Sequence, residues 1–166
     1  MSVKRPEGLV AMATEYTAGV EIVKLIGLRK KYLAQMFAET ERLANIFYER
    51  GADQVFLFGS LTNDGVYLDV FEKEAILGSD IDMAVVTRTP ALEAARRALQ
   101  FLTEEVVPQF PLDLVVFTPA ELDNEINQNL LKGAVAIAHG EGIPVRETDN
   151  SIILDRSVPR QFGCSR

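Results

Sequence analysis

The sequence predicts one α/β (α+β) domain in which a small mixed β-sheet packs against helices. Apolar strand-like runs alternate with amphipathic helical patterns along the chain, which is typical of a sheet layered against helices. The chain has 166 residues, a usual length for one domain with a buried core. Hydrophobic residues make up 48% and charged residues 25% of the sequence, which excludes a wholly disordered chain.

The first strong element is an amphipathic helix over residues 29–50. Its apolar residues recur at steps of three and four, and Gly51 stands where the residue that ends a helix is expected. These apolar residues are Leu33, Met36, Phe37, Leu43, Ala44 and Phe47. Residues 12–26 have a looser apolar pattern, from which we expect a separate helix that packs on the first.

Short apolar runs predict the strands, and proline residues predict the helices between them. The strand runs are residues 55–58, 81–86 and 111–117. Pro90 suits the first turn of a helix that Pro108 ends. Thr118 and Glu121 have the spacing of a capping box, which predicts a further helix in residues 118–140, with His139 near the helix end.

These elements divide the chain into three parts. We expect an N-terminal helical extension over residues 1–28, a main domain over residues 29–146 and a C-terminal tail over residues 147–166. Residues 61–78 form an insertion in the main domain, and their alternating apolar residues predict a hairpin or flap. The tail is rich in polar and turn residues, so we expect a loosely held end.

Two carboxylates, Asp80 and Asp82, stand one residue apart at the head of the second strand run. Residues two apart on a strand point to the same face, so these like charges repel each other without a counter-charge. A divalent cation would hold the pair, since Mg²⁺ prefers hard oxygen ligands. The alternative is an aspartate that caps the preceding turn beside a second, solvated one.

A third carboxylate, Asp113, is the only charged residue in the strand run "LDLVVF". Burying a lone carboxylate costs several kcal/mol unless it is paired or coordinated. We therefore expect Asp113 to be buried beside a partner. Asp80 and Asp82 on a neighbouring strand, with a shared cation, would supply that partner.

The ordered set of these motifs resembles the nucleotidyltransferase superfamily of the DNA polymerase beta type. Its signature is a Gly-Ser pair after the first strand, an Asp-x-Asp that opens the second, and a later third aspartate. Gly59 and Ser60, Asp80 and Asp82, and Asp113 match these parts in order. The chain is most similar to the minimal nucleotidyltransferase members over residues 29–145, which implies a polymerase-beta-like nucleotidyltransferase fold.

The resemblance implies a chemistry for each matching residue. Asp80, Asp82 and Asp113 would bind two Mg²⁺ ions, and Asp113 could also take the proton from the attacking hydroxyl. Gly59 would let the backbone approach the phosphates, and Ser60 would offer them its hydroxyl and amide. The expected reaction moves AMP from ATP, or another nucleotide, to a hydroxyl acceptor.

The insertion departs from the family pattern. Small family members often carry an arginine soon after the serine, whereas residues 61–78 contain no arginine and only one lysine, Lys73. A basic residue that would help to hold the triphosphate is therefore missing from its usual place. The insertion also stands where it can reshape access for the acceptor.

Resemblance to the minimal members implies a partner as well. They act as antitoxins of helical HEPN-type toxins and can transfer AMP to a tyrosine of the toxin. The apolar residues of the N-terminal helices suggest a partner surface or a homodimer surface. These residues are Leu25, Ile26, Leu28, Leu33 and Phe37.

Two other functions stay open from the sequence. One is an antitoxin-like module that blocks its partner by contact, with weak or no catalysis. The other is nucleotidyl transfer to a small molecule of the aminoglycoside type. The acidic residues of the insertion could attract such a cationic compound, and they are Asp64, Asp69, Glu72 and Glu74.

Net charge and cysteine usage indicate which partners and which cellular compartment to expect. The formal net charge is −7, which disfavours nonspecific binding to nucleic acid. Residues 29–31, "RKK", are predicted to be solvated helix surface. The single cysteine, Cys164, has no partner in the chain, and residues 1–10 lack the apolar core of a secretory signal. We therefore expect a cytoplasmic protein without a membrane-spanning segment.

Overall fold

The described residues form a mixed β-sheet with a long helix on one face, and two separate two-stranded hairpins. The computed structural model describes residues 19–63, 68–71, 74–77, 79–88 and 107–157. In chain order, the elements are α1 (Gly19–Glu49), β1 (Gln54–Phe58), a 3-10 turn (Ser60–Thr62), β2 (Leu68–Phe71), β3 (Glu74–Leu77), β4 (Ile81–Val86), β5 (Leu112–Phe117), α2 (Pro119–Leu122), α3 (Glu125–Leu130), β6 (Val135–Ile137), β7 (Val145–Glu147) and β8 (Ile152–Leu154).

In the described part of the chain, the main sheet has four strands in the order β5-β4-β1-β6. Strand β4 runs parallel to β5, whereas β1 runs antiparallel to both β4 and β6, so the sheet is mixed. The predictions for β1, β4 and β5 are confirmed to within one residue at each end. Strands β2 and β3 pair as an antiparallel hairpin, which confirms the hairpin expected in the insertion.

Strand β6 contradicts the helix predicted over residues 118–140. The capping box at Thr118 and Glu121 is present, but α2 ends at Leu122 and α3 at Leu130. Gly133, with φ of 79°, then turns the chain, and β6 pairs with the free edge of β1. A short apolar run fits a helix or a strand, and here the available sheet edge determines the outcome. His139 therefore follows a strand and is not at a helix end.

Helix α1 is continuous through the expected boundary at residue 28. It spans residues 19 to 49 without a break, so the prediction of a separate helix over residues 12–26 is wrong for the described part. Leu33 and Phe37 are buried in the core and cannot belong to an exposed docking patch. The apolar face of α1 packs on residues of the sheet that alternate along each strand. These residues are Val55, Leu57, Ile81, Met83, Val85, Leu114, Val116 and Ile137.

The C-terminal segment is held against the core as far as the structure describes it. Strands β7 and β8 form an antiparallel hairpin, and Ile152 and Leu154 pack on the core under α1. Lys30 forms an ion pair with Glu147 at 2.6 Å. The expectation of a loosely held tail is therefore wrong for residues 147–157. The basic cluster at residues 29–31 contributes to this contact through Lys30.

Some predictions fall outside the described residues, including the helix between Pro90 and Pro108 and the environment of Cys164. Asp64, Glu72 and Lys73 of the insertion lie outside them too. Within the described ranges, no helix combines the length and the apolar character needed to cross a bilayer.

An ion pair between a buried carboxylate and a partly exposed arginine of α1 holds the segment that leads into β5. Arg42 donates from Nε and Nη2 to the two carboxylate oxygens of Glu39, each at 2.7 Å. The amide of Gln109 donates to Glu39 Oε1 at 2.9 Å. Burial raises the pKa of Glu39, but the hydrogen bonds from Arg42 and Gln109 and the charge of Arg42 hold it below its usual value.

We expect Glu39→Gln to lower the free energy of unfolding by about 2 kcal/mol, because it removes a charge-assisted pair with an almost fully buried carboxylate. Urea denaturation measures this loss. The matched control is Glu49→Gln, since Glu49 is exposed on the same helix. Equal stability losses in the two variants would contradict a special role for the Glu39–Arg42 pair.

Candidate active site

The predicted site residues meet at one end of the strands of the main sheet, and the row of strand ends there is the edge at which the site lies. Because β1 is antiparallel to β4 and β6, the end of β1 lies beside the beginnings of β4, β5 and β6. Phe58 lies opposite Asp82 in the register, and Asp82 lies opposite Asp113. Neighbouring strands are about 4.8 Å apart, so these two aspartates are adjacent on one face of the sheet. That face is the one turned away from α1.

Asp82 is the half-buried centre of this edge. Burial and the charges of Asp113 and Asp80, in that order, raise its pKa from 3.8 to about 6. Burial acts because a carboxylate loses solvation, and the neighbouring charges act because like charges repel. The three carboxylates are therefore close enough to perturb one another. This electrostatic stress is the kind that a bound cation relieves.

Asp80 and Asp113 are both exposed. The prediction that Asp113 is buried is wrong, because β5 is the outer strand of the sheet among the described residues and Asp113 is only its second residue. Asp82, which was predicted to lie beside Asp113, is nevertheless directly opposite it in the register of β4 and β5. Within the described residues, no three acidic, histidine or cysteine side chains converge as a ready-made metal cage. The aspartates interact through their charges across the edge.

Gly59 is fitted against the Asp82 carboxylate. Its φ is 77°, in the left-handed region that glycine tolerates. A Cβ atom at this position would lie 2.8 Å from Asp82 Cγ and 3.1 Å from Asp82 Cβ, and would overlap a carboxylate oxygen. The absence of a side chain at Gly59 thus lets the backbone of the turn contact the central carboxylate.

The turn after Gly59 is held by local hydrogen bonds. The backbone amide and the hydroxyl of Thr62 donate to the Gly59 carbonyl oxygen at 3.1 and 2.7 Å. The amide of Asn63 donates to the Ser60 carbonyl oxygen at 3.1 Å. Ser60 is half-exposed at the start of this turn, next to the carboxylates. The hydroxyl and amide groups of a rigid turn can contact an anion that the carboxylates alone would repel.

Sequence reasoning missed Arg156, whose side chain reaches the same edge from the C-terminal segment. Its Nη2 donates to the Thr62 carbonyl oxygen at 2.8 Å and to the Gly133 carbonyl oxygen at 3.1 Å. No local motif marks this residue, because its position depends on the β7–β8 hairpin. It places a cation beside the turn.

His139 lies at the other end of the sheet, away from the aspartates. Its ring stacks on Tyr48 with centroids 4.9 Å apart. The Tyr48 hydroxyl donates to the Ile137 carbonyl oxygen at 2.5 Å and accepts from the Val55 amide at 3.2 Å. Val55 and Ile137 are partners at the start of β1 and the end of β6, so this pair supports the opposite edge.

The fold and the site define an α+β protein with a carboxylate cluster at one edge of a mixed sheet. Comparison of the chain with protein-family models, curated proteins and solved structures found no match. The function is therefore inferred from the site itself.

Proposed function

We propose that the protein is a Mg²⁺-dependent nucleotidyltransferase that moves a nucleoside monophosphate, with ATP as the expected donor, onto a hydroxyl acceptor. The observation that carries this proposal is the half-buried Asp82 between two further carboxylates and against Gly59. A carboxylate cluster beside a tight Gly-Ser turn suits a substrate that brings metal ions and phosphates together.

The ligand atoms of the three aspartates suit magnesium. Asp80, Asp82 and Asp113 offer only oxygen ligands. The raised pKa of Asp82 reflects burial first and then the charges of Asp113 and Asp80, and a divalent cation would offset both. These three residues would hold two Mg²⁺ ions, which supply charge neutralisation along the triphosphate and at the reacting phosphorus. The coordination requires the exposed side chains of Asp80 and Asp113 to turn towards Asp82.

The chain's own residues account for the remaining steps. Gly59 and Ser60 approach the phosphates, the glycine by its lack of a side chain and the serine through its hydroxyl and amide. The acceptor oxygen attacks the α-phosphorus, and the bond to the β-phosphate bridging oxygen breaks to release pyrophosphate. Asp113, which is exposed and adjacent to Asp82, accepts the proton of the acceptor hydroxyl.

The order of the elements supports a polymerase-beta-like fold for this proposal. Gly59 and Ser60 follow β1, Asp80 and Asp82 stand at the head of β4, and Asp113 lies on the adjacent parallel strand β5. The proposed setting is the cytoplasm. The proposed acceptor is a hydroxyl of a partner protein, with a helical HEPN-type toxin as the first candidate.

Transfer of label from α-phosphate-labelled ATP tests the proposal. With Mg²⁺ and cell lysate, we expect wild-type protein to label an acceptor, and Asp82→Asn and Asp113→Asn to reduce the label at least about 100-fold. Asp123→Asn is the matched control, because Asp123 is an exposed carboxylate after α2. Absence of label with wild type, or equal label in all variants, would overturn the proposal. The fraction that carries label identifies the acceptor as protein, nucleic acid or small molecule.

A further inference from the structure

We infer that Arg156 binds the β- and γ-phosphates of the donor nucleotide and supplies the cationic side of the site. This inference rests on the proposed function and assigns the missing counter-charge to the C-terminal segment. Two observations support it. The guanidinium lies at the same edge of the sheet as the aspartates, and the segment that contains Arg156 is anchored.

The guanidinium lies on the same edge as the aspartates, across β1 from them. Leu57 is the register partner of Val135, so continuing the ladder by two residues brings Gly133 opposite Gly59. Arg156 bonds to the carbonyls of Gly133 and of Thr62, which closes the turn after Gly59. The edge therefore runs from the carboxylates on β5 and β4, over the Gly59 turn, to the guanidinium beside β6.

This order matches the charge pattern of a metal-bound triphosphate. From β4 to β6 the edge spans two strand spacings, roughly 10 Å. A triphosphate whose α-phosphate lies near the aspartates can extend its terminal phosphates across the turn. Arg156 stands on that side, where a fixed cation stabilises the terminal phosphate charge.

The backbone on both sides of Arg156 is anchored, so the position from which its side chain extends is fixed. The Asp155 amide donates to the Pro144 carbonyl oxygen at 2.9 Å, and Leu154 packs on the core. The Ser157 amide donates to Asp155 Oδ1 at 2.9 Å. These contacts hold the residue between them at a defined place beside the turn.

The guanidinium also keeps donors available for a ligand. An arginine carries five N–H donors, and the contacts to Thr62 and Gly133 use only Nη2. Arg156 is exposed, and within the described part of the chain it has no carboxylate ion-pair partner. Its charge is thus not neutralised there, and Nε and Nη1 can donate to phosphate oxygens.

Equilibrium binding of two nucleotides tests this role. The probes are α,β-methylene-ATP, whose α–β bridge resists cleavage, and AMP, which lacks the terminal phosphates, both with Mg²⁺. Arg156→Gln keeps an amide that can donate to the Thr62 and Gly133 carbonyls but removes the charge. We expect it to weaken binding of the triphosphate analogue about tenfold or more and to leave AMP affinity unchanged.

Two further variants sharpen the comparison. Arg156→Lys keeps the charge and should retain part of the affinity for the analogue. Arg88→Gln makes the same charge change at the exposed residue just beyond β4, on the opposite edge, and should bind both nucleotides like wild type. Thermal unfolding of all variants shows whether the fold is intact.

The outcomes separate this inference from the proposed function. Unchanged affinity of Arg156→Gln for the analogue would overturn the inference alone, provided that wild-type binding depends on Asp82. Equal weakening for AMP and the analogue would overturn it too, because it would make Arg156 a structural tie for the turn. Failure of wild type to bind the analogue with Mg²⁺ would overturn both.

Discussion

Gly59→Ala is expected to lower the free energy of unfolding by about 3 kcal/mol or more and to abolish nucleotidyl transfer. A non-glycine residue in the left-handed region costs about 1–2 kcal/mol, and forcing extra atoms into a packed site adds about 1–3 kcal/mol. Here the added Cβ would lie 2.8 Å from Asp82 Cγ, so the turn or the carboxylate must move. Urea denaturation and transfer of labelled nucleotide measure the two effects.

Gly140→Ala separates backbone strain from the overlap with Asp82. Gly140 has φ of 76°, close to the 77° of Gly59, but nothing lies within 4 Å of a Cβ built there. We expect this control to lose only about 1 kcal/mol and to keep its activity. Adding Asp82→Ala to Gly59→Ala removes the overlapping Oδ2 and Cγ atoms, so part of the lost stability should return. Equal losses for the two glycines would refute the steric fit at the site.

The central strands were predictable because their apolar runs are short and are bounded by turn residues. Residues 55–58 and 81–86 are shorter than a usual helix, and one run ends and the other begins at turn residues, which favours a buried strand for both. The segment after β5 was not predictable in this way. Val135–Ile137 forms a strand only because β1 offers it an unpaired edge, and this edge is a property of the assembled sheet.

The candidate site was predictable as a set of residues but not in its electrostatics. Strand alternation and order bring Asp82 and Asp113 together, whereas the choice of Asp82 as the buried member depends on which strand is interior. Arg156 was beyond local patterns altogether. It is 94 residues from Thr62 in sequence, and only the packing of the β7–β8 hairpin brings them together.

Asp82→Asn is expected to stabilise the metal-free protein while it abolishes magnesium binding and catalysis. The pKa of Asp82 is raised from 3.8, the ordinary value of an aspartate in an unfolded chain, to about 6 in the fold. The contribution of this carboxyl to the free energy of unfolding is therefore fully present below pH 3.8 and is lost as the pH rises through about 6. At neutral pH, with chelator, the neutral variant should gain about 2 kcal/mol, after allowance for solvent screening of a half-buried group.

The pH dependence of the difference in stability isolates this residue. Wild type and Asp82→Asn are unfolded in urea with chelator from about pH 4 to pH 8, the range over which a carboxyl with this pKa titrates. We expect the advantage of the variant to grow with pH and to level off above about pH 7. Glu39, with its lowered pKa, acts in the opposite sense, but it is present in both proteins and cancels in the difference. An advantage that is independent of pH would contradict the ionisation of the half-buried Asp82 as its cause.

Magnesium should reverse the order of stability. A ligand that binds only the folded state stabilises it by mass action, so Mg²⁺ should raise the unfolding temperature of wild type and leave Asp82→Asn unchanged. Asp149→Asn, an exposed carboxylate on the turn between β7 and β8, should respond to Mg²⁺ like wild type. A variant that is more stable without metal, inactive, and no longer stabilised by Mg²⁺ indicates that Asp82 binds the cation. If Mg²⁺ stabilises wild type and Asp82→Asn equally, the carboxylate cluster is not the metal site. The proposed Mg²⁺-dependent reaction at these aspartates is then contradicted.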